Sequence, residues 1–424
     1  MIKYLTTACL TLMSLAIPAL CSAAPSTEVA AQAVNALGLD LMATGTASNA
    51  NALLSPYSIQ AALAMTYAGS AGNTRSEMAK VLHYPADEAL LHQAFGAMAQ
   101  ALDEVAKTSA QQAENAKKFG GSAEPVVLTV ANRLFGQQGY EFRQPFLDLV
   151  KGSYAAPLQA MDFVSKAEHE RLAINAWVEE QTRKRIRDLI PSGGLDRETR
   201  LVLVNAIYMK APWSEPFHDT STQPLPFAVM GTGAQKVPTM HRLGNIGYAK
   251  RDAYQVVTLA YTGGGLQLLV LLPDAKDGLA ALEAKLTPDV LRGCAKPGTA
   301  EVDLYLPKFK LEPPVLRMGE VLRKLGMLTA FDVPHGTANF DRMAPRKPND
   351  YLYISEVFHK TFIALDEKGT EAAAATAVAM AKAAAIMLDK PKPIEVHVDR
   401  PFLFAIQHVA SGACLFLGRI TDPR

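Results

Sequence analysis

The sequence predicts a mixed α+β protein built as one large intertwined domain, and three observations lead there. Helical patterns come mostly early in the chain and strand patterns mostly late. No regular alternation of strand and helix would build a parallel sheet, and no internal repeat divides the chain. The composition is that of a globular protein with a large core: 424 residues, 49% hydrophobic, 20% charged, formal net charge +1. Such a balance argues against a nucleic-acid partner, which would ask for a basic excess.

Residues 1–24 read as a signal peptide, leaving 25–424 as the folded domain. Lys3 supplies the positive start, and "LTTACLTLMSLAIPAL" is apolar but too short and interrupted to span a bilayer. "CSAAP" offers small residues for cleavage after Ala23 or Ala24, while Leu20 before Cys21 is too large for a lipidation site. The expectation is therefore secretion or a periplasmic location, and the compositional style fits a bacterium. No later segment holds about 20 uninterrupted apolar residues, so no membrane partner is expected. Of the cysteines, Cys294 and Cys414 remain in the mature chain. They could pair, but two separate buried thiols suit a chain that needs no staple.

Residues 26–115 carry helical spacing, with Pro56 and Ser58 opening one helix in "PYSIQAALAMTYAG". A polar loop at 115–124 leads into the β-rich start of "PVVLTVANRLFGQQGY". The amphipathic stretch 169–194 predicts a helix stopped by its Pro and Gly residues. "TRLVLVNAIYMKAPW" predicts a strand buried on both faces. "YQVVTLAYTGGGLQLLVLLPD" and "PFLFAIQHVASGACLFLGRITDP" each read as a hairpin, and "AEVDLYLPKFKLE" as an alternating strand.

No catalytic motif emerges. "HERLA" at 169–173 lacks the second histidine a zinc site needs, leaving His169 and Glu170 as a solvated helix face. "GSAG" at 69–72 lacks the spacing of a nucleophile elbow, and "TGGGL" is followed by no Lys-Ser/Thr pair. The basic run Arg183, Lys184, Arg185, Arg187 alternates with Glu179, Glu180 and Asp188, again the pattern of a solvated helix face. The chain is thus read as no enzyme, and no cofactor or metal is expected.

The stretch 366–393, "DEKGTEAAAATAVAMAKAAAIMLDKPKP", is the unusual one. Alanine favours a helix, yet Val378, Met380 and Ile386 would share no helical face. At period two it sorts better: Thr370, Ala372, Ala374, Thr376, Val378 and Met380 face one way, and Glu371, Ala373, Ala375, Ala377 and Ala379 the other. Small side chains over the first half suit a strand that must slide into a preformed sheet.

"DEKGTEAAAATAV" resembles the hinge of the reactive-centre loop of inhibitory serpins. "LLSPYSIQAALAMTYAGSAGNTRSEM" (53–78), "ANRLFGQQGYEF" (131–142), "LVLVNAIYMKAPWSEPF" (201–217), "ISEVFHKTFIALDEKGTEAAAA" (354–375) and "DRPFLFAIQHVASGACLFLGRITDP" (399–423) resemble serpin segments in the same order. The resemblance implies one domain of three β-sheets and about nine helices with an exposed, metastable loop near 367–393. It implies a suicide substrate of serine proteases. The protease attacks the loop, forms an acyl-enzyme, and is dragged away and distorted as the cut loop inserts into the main sheet.

On that resemblance Glu367, Lys368, Gly369, Thr370, Glu371, Ala372, Ala373, Ala374 and Ala375 form the hinge. Ser55, Ser58, Asn205 and His359 form the "shutter" under the sheet, and Trp213 marks the "breach" where the loop enters. Family counting puts the scissile bond between Ala383 and Ala384, which suits an elastase-like or subtilisin-like target. Lys382 would suit a trypsin-like enzyme. The span from Glu367 to Pro401 is longer than in many serpins, so Met387 or Leu388 stays open as the bait. A cysteine protease is a further candidate partner, and a monomer is expected. The competing reading is a non-inhibitory serpin, a carrier, binding protein or chaperone. Bulky, charged or proline residues at 372–376 would mark that class, and this chain has AAAAT.

Overall fold

The computed structural model describes residues 26–118, 124–348, 350–371 and 392–424, and of Asn205 the backbone alone. The expected signal peptide, residues 1–24, and the candidate bait residues Lys382, Ala383, Ala384, Met387 and Leu388 lie outside the described residues. So do Ala372, Ala373, Ala374 and Ala375.

Among the described residues the chain forms nine α-helices and three sheets, of nine, six and two strands. The nine-stranded sheet contains both expected hairpins: Tyr254–Ala260 with Leu266–Pro273, and Phe402–His408 with Cys414–Ile420. Its edge strand Ile394–His397 follows the alanine-rich stretch and pairs in parallel with Thr299–Pro307. In the two-stranded sheet Leu316–Arg317 pairs with Phe358–His359.

The six-stranded sheet positions the site. Its order is Phe309–Leu311, Ile363–Asp366, Gly369–Thr370, Leu201–Pro212, Val127–Gln137 and Leu158–Met161. The central strand Leu201–Pro212 alternates between two cores. Ile207, Met209 and Ala211 enter the main cluster, which spans the larger sheet and most helices. Val204 and Ala206 enter a smaller cluster under the helix Phe163–Gln181, with Ile174, Val178, Ile186 and Ile190. Both faces are covered, so its sequence reads as a continuous apolar run.

Two details differ from the sequence reading. The helix expected to run to 194 stops at Gln181. The buried Thr182 hydroxyl donates to the Val178 carbonyl (2.8 Å) and accepts from the Ile186 amide (3.1 Å), while Arg183 and Lys184 take left-handed φ of 49° and 65°. The run Arg183, Lys184, Arg185, Arg187 is therefore a tight turn beyond the helix rather than a helix face. Among the loops, the one expected from 115 begins later, because the preceding helix Glu88–Lys118 continues to its terminal lysines. Cys294 and Cys414 are buried free thiols.

Candidate functional site

The strand Gly369–Thr370, in the segment the sequence reading assigned to the hinge, lies between two neighbours and is antiparallel to both. Thr370 stands opposite Leu365 on one side and Ala211 on the other; Gly369 stands opposite Asp366 and Pro212. A side chain at 369 is excluded: its Cβ would come within 2.2 Å of the Ala211 carbonyl oxygen, at φ +149°. Thr370 is 2% exposed, and its hydroxyl shares a 2.6 Å hydrogen bond with that of buried Tyr261.

Charged and aromatic groups fix the turn before it. Glu367 accepts from Lys308 Nζ (2.7 Å) and Thr222 Oγ1 (2.6 Å). Burial raises its carboxyl, but these two donors more than offset that and hold it below the usual range. Asp366 accepts from the amides of Lys368 (2.9 Å) and Gly369 (3.3 Å), and burial keeps its carboxyl raised even so. Trp213 stacks flat on Tyr261 with ring centroids 4.6 Å apart, and its indole N–H donates to the Asp366 carbonyl (2.9 Å). Its backbone N–H donates to the Lys368 carbonyl (2.9 Å).

At Glu371 the chain leaves the sheet. Its amide still donates to the Ala364 carbonyl (2.8 Å), but its φ is +51°. The carboxylate is bound by Arg185 Nε. Burial raises this carboxyl, and Arg185, Tyr208 and Lys210 offset that only in part.

Below the strand Gly369–Thr370 the sheet is open. Among the described residues no hydrogen-bonded ladder joins the central strand to 351–362. Between them lies a cavity of about 300 Å³, lined among others by Leu201, Leu203, Val357, His359, Ser58 and Leu63. At its side Ser55 caps the helix Pro56–Ala68, its hydroxyl accepting from the Ser58 amide (3.3 Å) and donating to the Leu415 carbonyl (2.7 Å). The Ser55 amide donates to His359 Nε2 (3.1 Å), which leaves the proton of the neutral ring on Nδ1. Burial lowers His359 to about 4.

Of the residues singled out from the sequence, Ser55, Ser58 and His359 meet beside the cavity, and Glu367 to Glu371 and Trp213 meet at the top of the same sheet. Asn205 lies in the central strand opposite Asn132. His169 is exposed on its helix, and among the described residues no group of three or more His, Cys, Asp or Glu could hold a metal. No described helix is long and apolar enough to cross a membrane. Lys308, Thr222 and Tyr261 went unnoticed in the sequence, and Arg185 was read there only as part of a solvated helix face. Lys308 is 59 residues from Glu367 and Thr222 is 145, and no local pattern links such partners.

A family model described as serpin (serine protease inhibitor) matches residues 32–423. Leukocyte elastase inhibitor of Bos taurus is 36% identical over 396 residues, covering 91% of this chain and 97% of its own. An uncharacterized serpin-like protein of Thermococcus kodakarensis is 36% identical over 396 residues, covering 92% and 85%. Among solved structures, uncleaved ovalbumin is similar with a TM-score of 0.74 at 27% identity, covering 93% of this chain and 99% of its own. A cleaved, loop-inserted ovalbumin mutant is similar with a TM-score of 0.75 at 25% identity, covering 94% and 100%.

Proposed function

The chain belongs to the serpin family, and from that premise we propose that it inhibits serine proteases as a suicide substrate. One observation carries the reading: a two-residue strand is already seated between two strands that stand apart below it. The residues that follow in the sequence are small.

The register states what insertion would do. Continued one pair per residue, it sets Ala372 opposite Met209 and Ile363, and Thr376 opposite Asn205 and His359. Val378 then faces Leu203 and Val357, and Met380 faces Leu201 and Ser355. The even-numbered residues share the buried face of Thr370, so Ala372 and Ala374 enter first and the larger Val378 and Met380 meet the cavity. Strand from Thr370 to Ala383 carries its far end roughly 45 Å at about 3.3 Å per residue. A protease held there by an ester would be pulled from the loop's end of the molecule to the opposite one before it could release.

We favour Ala383–Ala384 as the scissile bond and an elastase-like target. In support, leukocyte elastase inhibitors are among the similar proteins, and alanine suits a small specificity pocket. Export by the leader and action as a monomer complete the proposal.

The test mixes mature protein with pancreatic elastase, subtilisin, trypsin and chymotrypsin in separate reactions. Each is read on a denaturing gel, and the released C-terminal peptide is weighed. A band at the summed mass that survives boiling is expected with elastase or subtilisin. Loop cleavage without that band in any of the four would speak for the carrier reading instead.

A further inference from the structure

A buried histidine away from the slot is incompletely bonded. His92, in the second turn of the helix Glu88–Lys118, is 4% exposed. Its Nδ1 pairs at 2.6 Å with the hydroxyl of Tyr154, which ends the helix Gln144–Tyr154. Its Nε2 has no hydrogen bond among the described residues and faces Glu88 Oε1, one turn back, at 3.5 Å. Glu88 is the hub of the cluster. Arg342 grips it with two parallel hydrogen bonds, Nη1 to Oε2 (2.9 Å) and Nη2 to Oε1 (3.0 Å), and Arg75 Nη2 lies 2.7 Å from Oε2. Arg75, in the helix Gly72–Val81, also lies over the Tyr67 ring at 4.0 Å. Tyr67 in turn meets His92 and Tyr84, with ring centroids 6.4 and 5.0 Å away. The charged and titratable groups around His92 are therefore Glu88, Arg75, Arg342, Tyr67, Tyr84 and Tyr154.

We propose that this cluster is an acid-operated latch, in which a proton on His92 makes Glu88 exchange Arg342 for the imidazolium. In the neutral ring the proton belongs on Nε2, because a bare lone pair facing a carboxylate oxygen would repel it, and Nδ1 accepts from Tyr154. A second proton lands on Nδ1, which turns from acceptor to donor, and the Tyr154 hydroxyl must aim its own hydrogen elsewhere. The ring is then cationic, and Nε2–H closes on Oε1, the oxygen that Arg342 Nη2 holds. One carboxylate does not balance three cations packed this closely. Arg342, 45% exposed against 21% for Arg75, is the one with water to go to.

The neighbours keep their states while this happens. Burial raises Tyr67, Tyr84 and Tyr154, so all three stay neutral. Burial also raises Glu88, but Arg342, Arg75 and His92 more than offset that and keep it ionised into acid. Burial lowers His92 below its ordinary 6.5; Arg75 and Arg342 add to this and Glu88 opposes it, so the latch opens only in acid. Arg342 stands between Phe340 and Met343, which both line the cavity below Gly369–Thr370. Hydrogen bonds from the Ala71 amide to the Asn339 carbonyl (3.0 Å) and from the Arg143 amide to the Met343 carbonyl (2.9 Å) remain. Release therefore loosens one wall of the cavity without unfolding it.

The test follows amide hydrogen exchange over residues 338–346 by mass spectrometry at about pH 7.5 and about pH 5, with rates corrected for the intrinsic effect of pH. In the parent these amides should exchange about three- to tenfold faster in acid, the scale of one partly exposed ion pair. His92→Gln keeps a donor toward Glu88 and an acceptor toward Tyr154 but takes up no proton, and should change by less than about twofold. Glu88→Gln should exchange at the fast rate at both pH values. Should that variant not fold, Arg342→Gln carries the same expectation. A parent indifferent to pH, or a His92→Gln protein that keeps the parent's full acid response, would overturn the latch. Either result leaves the suicide-substrate reading untouched, since that reading is judged by covalent complex on a gel.

Discussion

The upper and lower halves of one slot are held by different physics. Above Glu371 the two flanking strands are joined through Gly369 and Thr370 by ladders on both sides, and the neighbouring turn is fixed by the Glu367 ion pair with Lys308 and by Trp213 stacked on Tyr261. Below it the same two stretches of chain face each other across about 300 Å³, with buried His359 and the capping Ser55 beside the gap. The upper half is a finished sheet; the lower half is a sheet missing a strand. Unpaired backbone and unfilled apolar volume both cost free energy, so the stability this fold forgoes is concentrated in the lower half.

The most disruptive way to break that comparison is Thr370→Arg. This position is sealed against Tyr261, and a charge there has no partner. Protease should still bind and cut, but the covalent complex on a denaturing gel should fall by at least about tenfold, with nearly all inhibitor recovered as cleaved product. Undiminished complex would mean that the hinge does not enter the sheet.

The lower half should respond to pH. Burial holds His359 near 4 against an ordinary 6.5, so the unfolded chain takes up the proton first as pH falls. Stability from this group is complete above about pH 6.5 and is lost progressively down to about pH 4, amounting to roughly 3 kcal/mol. His359→Gln should flatten that part of the denaturation profile relative to the parent, whatever the other histidines contribute. A parallel profile in both proteins would remove His359 from the account.

A smaller effect is expected at the top. Gly369→Ala puts a methyl group against the Ala211 carbonyl and should lower stability by about 2 kcal/mol, measured by urea unfolding. It should also shift tryptophan fluorescence as the hinge strand is displaced from beside Trp213. No change in either would mean the hinge strand is not seated as described.

The sequence carried the strands and hairpins well, because alternation, apolar runs and turn residues are local signals. The stretch that sorted better at period two than as a helix begins with Gly369–Thr370, which forms a strand paired on both sides inside the six-stranded sheet. The end of the long helix was not legible. The stop expected at Pro191 and Gly193 comes at Gln181, where Thr182 caps and two basic residues adopt left-handed backbone without a glycine to announce it. That displaced end is why the arginine run read as a solvated face, although Arg185 reaches Glu371 across 186 residues. The cavity has no sequence signature either, since it is defined by a strand that the fold leaves out.

The central claim is that the lower half of the slot waits for the loop. It is tested most directly by cutting the loop once, within 381–391, and comparing the thermal midpoints of cut and intact protein. Closing some ten ladder positions at roughly 1 kcal/mol each should raise the midpoint by about 10 °C or more. An unchanged or lower midpoint after a single loop cut would contradict the account.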